Sequence, residues 1–217
     1  MPQFITAKEA AMMIRPGDRL MMGGFLAVGA AENIIDALVE QGTPDLHIIC
    51  IASDYENRGI GKLVMSRQIK SAQVSHMGTN KEIQNQMNLG EMQIELVPQG
   101  TLMERIRAAG AGLGGVLTPT GLGTVVQDGK QVLEIEGKDY LLELPIKADF
   151  ALIRAQKADK MGNLVFEKTA RNSNPIMATA AQQTIVEVDE IVEIGELDPE
   201  IIVTPGVFVN FIVKHEE

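Results

Sequence analysis

The sequence has few of the residues that form disulfides and metal sites: one cysteine and three histidines among 217 residues. A single cysteine cannot form an internal disulfide, and Cys50 lies in an apolar run, which predicts a buried strand position. His47, His76 and His215 do not have the spacing of metal ligands. The G-x-S-x-G motif is absent as well. We therefore expect neither a metal site nor a serine nucleophile.

Long hydrophobic runs and excess positive charge are also lacking. No stretch reaches the roughly 18 apolar residues of a spanning helix, and residues 1–4 do not begin a signal peptide. The formal net charge is -10, and no Lys/Arg cluster is interleaved with aromatic residues. We expect a cytoplasmic protein with no membrane or nucleic-acid partner, although a small anion could still bind at a local site.

The composition is typical of a globular protein, with 45% hydrophobic and 22% charged residues. No tandem repeat, low-complexity tract or exposed linker divides the chain. We therefore predict a single domain over residues 1–217.

Strand and helix patterns alternate through the first half of the chain. A capping box at Thr6 and Glu9 predicts a first helix that ends near Arg15. Further strands are predicted at 20–22, 46–52, 72–75 and 92–97, and helices at 32–41, 61–66, 80–88 and 102–109. Repeated units of this kind indicate an α/β fold: an open, mostly parallel sheet with helices on both faces.

The second half of the chain has a different pattern. Glycine-rich residues 110–123 predict a long loop, and residues 132–144 predict an antiparallel hairpin inserted in the fold. Three more strands, near 150–153, 184–188 and 207–213, are expected to complete the main sheet.

The first glycine cluster lies where a predicted strand gives way to a helix. It consists of Gly23, Gly24, Phe25, Leu26, Ala27, Val28 and Gly29. Free backbone N–H groups and a helix dipole at such a junction can face an anion or a developing oxyanion. The alternative is a tight turn that needs glycine only for its dihedral angles. The pattern alone leaves both interpretations open.

A second cluster, Gly110 to Gly115, matches the dinucleotide motif G-x-G-x-x-G, but its context is wrong. It follows a predicted helix rather than a strand, and Thr118-Pro119 leaves no room for a helix to begin after it. We therefore do not predict a dehydrogenase. An active-site loop and plain turn structure remain the two interpretations.

Two further side chains are candidates for chemistry. Gln99 lies between a predicted strand and a predicted helix, so its amide should project from the carboxyl edge of the sheet, where open sheets bind ligands. The alternative for Gln99 is a cap at the start of the helix. Glu56 lies in a loop from which a nucleophile could act, but a solvated loop acid is the simpler interpretation.

Taken together, the motifs resemble the alpha subunits of family I CoA-transferases along essentially the whole chain. The matching segments, in order, are 23–29, 59–61, 76–80, 98–102, 104–107, 117–121, 170–175 and 204–206. Pro16 and Ala31 depart from the family's N-terminal signature, which has Asp and Pro at those places. The Ser-Glu-Asn-Gly signature of the catalytic glutamate is absent, so that role is not assigned to Glu56.

The resemblance implies the NagB/RpiA/CoA-transferase-like fold and a ping-pong transfer of CoA from an acyl-CoA to a short-chain carboxylic or 3-oxo acid. A separate beta subunit would supply the nucleophilic glutamate, in a hetero-oligomer of alpha-beta pairs. By similarity, residues 23–29 would bind CoA and stabilise the oxyanion, with Gln99 beside the partner's glutamate. A Cβ at Gly24 would obstruct approach to the thioester.

CoA or acyl-CoA would be a substrate, with no permanently bound cofactor. The missing nucleophile equally permits an alternative: a non-catalytic small-molecule binding or regulatory domain on the same scaffold. A sugar-phosphate isomerase is a weaker possibility that rests on fold analogy alone.

Overall fold

The computed structural model describes residues 1–216. Its α-helices are α1 (Ala7–Met13), α2 (Glu32–Gln41), α3 (Ile60–Met65), α4 (Lys81–Asn88), α5 (Gln99–Gly110) and α6 (Asn174–Ala178). Its strands are β1 (Gln3–Ile5), β2 (Arg19–Met22), β3 (Leu46–Ile49), β4 (Ile69–Val74), β5 (Gln93–Leu96), β6 (Val116–Thr118), β7 (Val132–Ile135), β8 (Lys138–Glu143), β9 (Ala148–Asp159), β10 (Leu164–Val165), β11 (Ala181–Val192) and β12 (Phe211–Lys214).

The main sheet has the order β1-β12-β11-β9-β2-β3-β4-β5. Its strands pair in parallel, apart from the short β10, which pairs antiparallel with β9. The predicted open, mostly parallel α/β sheet is confirmed.

Helices cover both faces of this sheet, and the central strands are accordingly apolar on both sides. Along β2, Leu20 and Met22 pack in one core cluster with α1, α2, α3 and α4. Met21, between them, points to the opposite face and packs in a second cluster with α5 and α6. A parallel strand that helices cover on both faces requires a continuous apolar run such as Leu20–Met22.

The predicted hairpin forms part of a separate antiparallel sheet of order β6-β8-β7. Glu136 and Gly137 both have positive φ at its tip, as in a two-residue type I′ turn. The prediction that 110–123 is entirely loop was wrong, because Val116–Thr118 forms β6 and pairs with the far edge of β8. A strand of three residues between glycines is recognisable only from its distant partner.

Several boundaries also differ from the sequence prediction. The strand predicted over 46–52 ends at Ile49, and that predicted over 207–213 begins only at Phe211, after a 3-10 turn at Gly206–Phe208. Cys50 is buried, but it lies just beyond β3 rather than within it. Among residues 1–216, no helix combines the length and apolar character needed to cross a bilayer.

Candidate active site

The segment from Gly23 to Gly29, here called the glycine loop, leaves the carboxyl end of β2 and leads to α2. The backbones of Phe25 and Val28 hydrogen-bond to each other in both directions, at 3.1 and 3.0 Å. Between them, Leu26 and Ala27 have φ of 50° and 65°. Positive φ at two consecutive residues with side chains is uncommon and persists only where the surroundings hold it.

Two asparagines of the segment before and within α6 hold the carbonyl groups of the glycine loop. Asn174 is fully buried, and its Nδ2 donates to the carbonyl of Gly29 at 3.0 Å, while its Oδ1 accepts from the N–H of Arg154 at 3.1 Å. Nδ2 of Asn172 donates to the carbonyl of Val28 at 2.9 Å. Residues 170–175, one of the segments that carry the family resemblance, therefore contact the glycine loop directly.

Asp54 holds the loop from its amide side. One carboxylate oxygen accepts from the N–H of Ala27 at 3.0 Å, and the other accepts from the N–H of Ile60 at 3.1 Å. The side chain is buried, and a Cβ at Gly59 would lie 2.1 Å from its Oδ2. Burial raises the pKa of Asp54 to about 6, since the amide hydrogen bonds only partly offset the lost solvation and the charge of Glu32 adds to the rise.

The turn that contacts Asp54 is itself fixed by an ion pair. Oε1 of Glu32 accepts from the N–H of Gly59 at 2.9 Å, and its Oε2 lies 2.7 Å from Nζ of Lys62. Lys62 also contacts Asp36 at 2.5 Å. These contacts join the start of α2 to α3 beside the glycine loop.

A pocket of about 580 Å³ opens over the loop. It is lined by Phe25, Leu26, Val28, Ile51, Gln99, Thr169 and Asn172. The structure thus brings Gln99 and the glycine loop to one cavity at the carboxyl edge of the sheet. Gln99 begins α5 and its side chain is exposed, whereas Pro98 occupies the cap position without a capping side-chain bond. The capping interpretation of Gln99 therefore does not describe this helix.

Only part of the loop's backbone is available to a ligand. The N–H groups of Phe25, Ala27 and Val28 already donate within the protein, which corrects the expectation of a generally free loop. Within residues 1–216, the N–H groups of Gly24 and Gly29 donate to no protein acceptor. A Cβ at Gly24 would lie 3.1 Å from the backbone nitrogen of Ala30, so this glycine is required by the fold of the loop itself.

A second cavity, of about 500 Å³, shares Asn172 with the first. Arg107 and Arg171 line it, together with apolar residues that include Met103 and Ile176. It provides a local cationic surface in an otherwise acidic chain.

The other sequence candidates do not line the pocket over the glycine loop, although Gly110 and Ala111 line the second cavity. Glu56 is exposed in its loop, and the buried Cys50 has a raised thiol pKa, mainly through burial. Gly110 packs against Thr179, where a Cβ would lie 2.2 Å from Oγ1, so the second glycine cluster begins with a close helix contact. No cluster of three possible metal ligands occurs in the described part of the chain.

Sequence reasoning missed Asp54 and the roles of Asn172 and Asn174. The asparagines lay within a motif that matched the resemblance, so their positions were visible although their contacts were not. Asp54 is in no matched segment. Its position directly after a buried strand, facing the glycine loop from the neighbouring strand, was the available signal.

Comparison with known proteins identifies the family of this chain. Residues 4–215 match the family model described as Coenzyme A transferase. The chain is 47% identical over 215 residues to the acetate CoA-transferase subunit alpha of Escherichia coli (strain K12), which covers 99% of this chain and 98% of that protein. It is 46% identical to the acetoacetyl-CoA:acetate/butyrate CoA transferase alpha subunit of Clostridium acetobutylicum, over 98% of this chain and 97% of that one. The chain belongs to the coenzyme A transferase family.

Solved structures show the same fold. The acyl-CoA transferase YdiF of E. coli O157:H7, in a thioester complex with CoA, matches with a TM-score of 0.89 at 25% identity. That match covers 99% of this chain and 47% of the YdiF chain, so this chain spans about half of it. Glutaconate coenzyme A-transferase from Acidaminococcus fermentans matches with a TM-score of 0.83 at 21% identity, over 97% of this chain and 75% of that chain.

Proposed function

We propose that this chain is the alpha subunit of a heteromeric CoA-transferase that moves CoA between an acyl-CoA and a short-chain carboxylic or 3-oxo acid. The observation that carries the proposal is identity of 44 to 48% to proteins named as alpha or A subunits of CoA-transferases, over nearly the whole chain. The partner is a beta subunit, assembled with this chain in alpha-beta pairs. The chain acts as one cytoplasmic domain over residues 1–217.

The incomplete site supports a two-subunit enzyme. The pocket wall contains the Gln99 amide and residues of the glycine loop, but it contains no carboxylate that could act as nucleophile. YdiF is about twice as long as this chain, which leaves the length of a second subunit. The nucleophilic glutamate therefore comes from the beta subunit, which docks over the pocket.

In the reaction, the beta glutamate attacks the thioester carbonyl, and CoA thiolate leaves as an acyl-glutamyl anhydride forms. The thiolate then attacks the glutamyl carbonyl of the anhydride and releases the first acid, which leaves a glutamyl-CoA thioester. The acceptor acid repeats these two steps in reverse order.

Each attack builds negative charge on a carbonyl oxygen. Gly24 N–H, which has no acceptor within residues 1–216, is the proposed donor from this chain, and a donor of this kind is typically worth about 2.7 to 4 kcal/mol. Gln99 lies beside the glutamate and supports it. Arg107 and Arg171 in the adjoining cavity offer cations to the CoA phosphates.

The test is to co-purify the chain with its beta subunit, add an acyl-CoA without acceptor acid, and measure the intact mass of each subunit. We expect the mass of CoA on beta and none on this chain. Acetate, butyrate, acetoacetate or succinate is then added in turn. The acid that removes the bound CoA from the beta subunit is the acceptor. CoA bound covalently to this chain, or a complex that never acquires it, would contradict the proposal and favour a non-catalytic binding domain.

A further inference from the structure

The glycine loop has an unusual backbone that its own sequence does not explain. Leu26 and Ala27, with φ of 50° and 65°, are neither glycine nor asparagine. Such conformations are unfavourable for residues with side chains and persist only when neighbouring groups enforce them. Besides the backbone hydrogen bonds between Phe25 and Val28, the groups that do so come from outside the loop.

Three side chains enforce the conformation, and one of them is titratable. Asn172 and Asn174 bind the carbonyl groups of Val28 and Gly29 and stay neutral at all working pH values. Asp54 binds the N–H of Ala27, at the turn itself. Its second oxygen binds Ile60, which ties the loop to the start of α3.

We propose that Asp54 is a positioning residue of the CoA-transferase reaction: its ionised carboxylate holds the glycine loop in the conformation that presents the loop to the thioester. This inference rests on the proposed function. Both carboxylate oxygens must act as acceptors for Ala27 and Ile60 to be bound together. Protonation turns one oxygen into a hydroxyl, which accepts a hydrogen bond far more weakly than a carboxylate oxygen, so the hold on one of the two amides is weakened.

The surroundings make this protonation accessible near neutral pH. Asp54 is 5% exposed, and no Lys, Arg or His among residues 1–216 forms an ion pair with it. Glu32 of α2 faces it and disfavours its charge, and Lys62 of α3 is engaged with Glu32 and Asp36. The neutral thiol of Cys50, which follows β3, is a further titratable neighbour. With a pKa of about 6, the carboxylate is ionised at neutral pH and becomes protonated in mild acid.

The sign of the linkage gives a test on stability. The folded pKa is raised from 3.8 to about 6, so the folded state takes up a proton that the unfolded state has already lost. The contribution of Asp54 to the free energy of unfolding therefore falls as the pH rises from about 3.8 to about 6, and it stays low above that pH. An uncharged Asp54→Asn chain lacks this dependence.

The central experiment compares the wild-type complex with Asp54→Asn between about pH 5.5 and pH 7.5, using the same beta subunit. Misplacement of the loop should lower kcat about 10- to 100-fold near pH 7.5, with a smaller change in KM. The ratio of wild-type to variant kcat should shrink about fourfold at the lower pH, because the wild type loses its own ionised Asp54 there. Titration of the beta glutamate cancels in this ratio.

Asp36→Asn is the matched control. Asp36 contacts Lys62 in the same network, but it does not bind the loop, so its ratio to wild type should stay near one at both pH values. A ratio for Asp54→Asn that does not change with pH, or normal turnover of that variant, would overturn the proposal.

If Asp54→Asn does not fold, the wild-type chain alone still provides the test. Hydrogen-exchange protection of peptides that contain Ala27 and Ile60, corrected for intrinsic rates, should fall as the pH is lowered through about 6. Constant protection would overturn the role of Asp54. This measurement needs no catalysis, so it tests the role of Asp54 separately from the proposed function. Failure of the proposed function would instead appear as a wild-type complex without transferase activity.

Discussion

At the scale of single residues, Asn174 explains why glycine occupies both ends of the loop. A Cβ at Gly23 would lie 1.7 Å from Oδ1 of Asn174, and one at Gly29 would lie 2.8 Å from its Nδ2. Asn174 is fully buried, and both ends of its amide are hydrogen-bonded. The Asn174 side chain therefore cannot move aside without breaking its hydrogen bond to Arg154 or Gly29.

Gly23→Ala should consequently destabilise the chain by about 1 to 3 kcal/mol, as for other small-to-large changes in packed sites. Urea unfolding of the isolated chain is the measurement. Gly114→Ala is the control, because a Cβ there meets no atom within 4 Å, and it should stay within about 0.5 kcal/mol of wild type. Equal stability of the two variants would show that Asn174 does not exclude a side chain at position 23.

Gly24 has a role in addition to the one expected from the sequence. Its Cβ would press on the backbone of Ala30, just after the loop, so the glycine is also needed for the loop's own backbone at φ of 114°. Loss of activity in a Gly24 variant would therefore report distortion of the loop together with the expected obstruction of the thioester.

Gln99 gives the sharpest prediction at this scale for catalysis. If its amide orients the nucleophile or stabilises charge, Gln99→Ala in the assembled enzyme should lower kcat about 10- to 1,000-fold, with a smaller rise in KM. Gln99→Glu should also impair turnover, since a second carboxylate would raise the pKa of the nucleophile. Steady-state kinetics between about pH 6 and 8 are the measurement.

Gln93→Ala is the control for Gln99, since Gln93 is exposed at the opposite end of β5. It should retain wild-type kinetics. Normal turnover of assembled Gln99→Glu across that range would show that Gln99 only begins a helix.

At the scale of elements, the start of α2 is held from a distant strand. Ala31, where the resemblance expects Pro, gives the helix no side-chain cap. Glu187 of β11 accepts from the N–H of Ile34 at 3.1 Å and contacts His215 at 2.6 Å. Burial raises the pKa of Glu187, and these contacts offset part of that rise. A buried carboxylate thus caps α2 in place of a local residue.

Glu187→Ala should therefore destabilise the chain by about 1 to 3 kcal/mol, because it leaves a buried amide without an acceptor. Glu190→Ala, on the same strand, removes only an exposed contact with Lys157 and should cost about 0.5 kcal/mol or less. Urea unfolding measures both. A Glu187 variant as stable as the Glu190 variant would show that α2 does not depend on this cap.

The sequence pattern predicted those elements whose stabilising interactions lie within one segment of the chain. The capping box at Thr6 and the helix at 32–41 were predicted correctly because caps and apolar periodicity lie within one segment. The strand Val116–Thr118 was missed because its only support is pairing with β8.

The same reason limits prediction of the site. The glycine loop and Gln99 were visible as motifs at strand ends, and the structure places them on one pocket. The contacts of Asp54, Asn172 and Asn174 with the glycine loop join residues between 27 and 145 positions apart, which no local pattern records.

At the scale of the whole molecule, the proposed function makes the chain one side of a catalytic site. Its pocket offers the Gln99 amide and an apolar wall, and an adjoining cavity offers two arginines. The carboxylate nucleophile that the family's chemistry requires is not on that wall. The division of labour between two chains follows, with this one presenting the loop and the beta subunit presenting the glutamate.

The most direct test is reconstitution. Each subunit is purified alone, and CoA transfer from an acyl-CoA to acetate or acetoacetate is measured for this chain, for the beta subunit and for their mixture. We expect turnover only from the mixture, and none from a mixture whose beta glutamate is replaced by alanine. Sustained turnover by this chain alone would contradict the account.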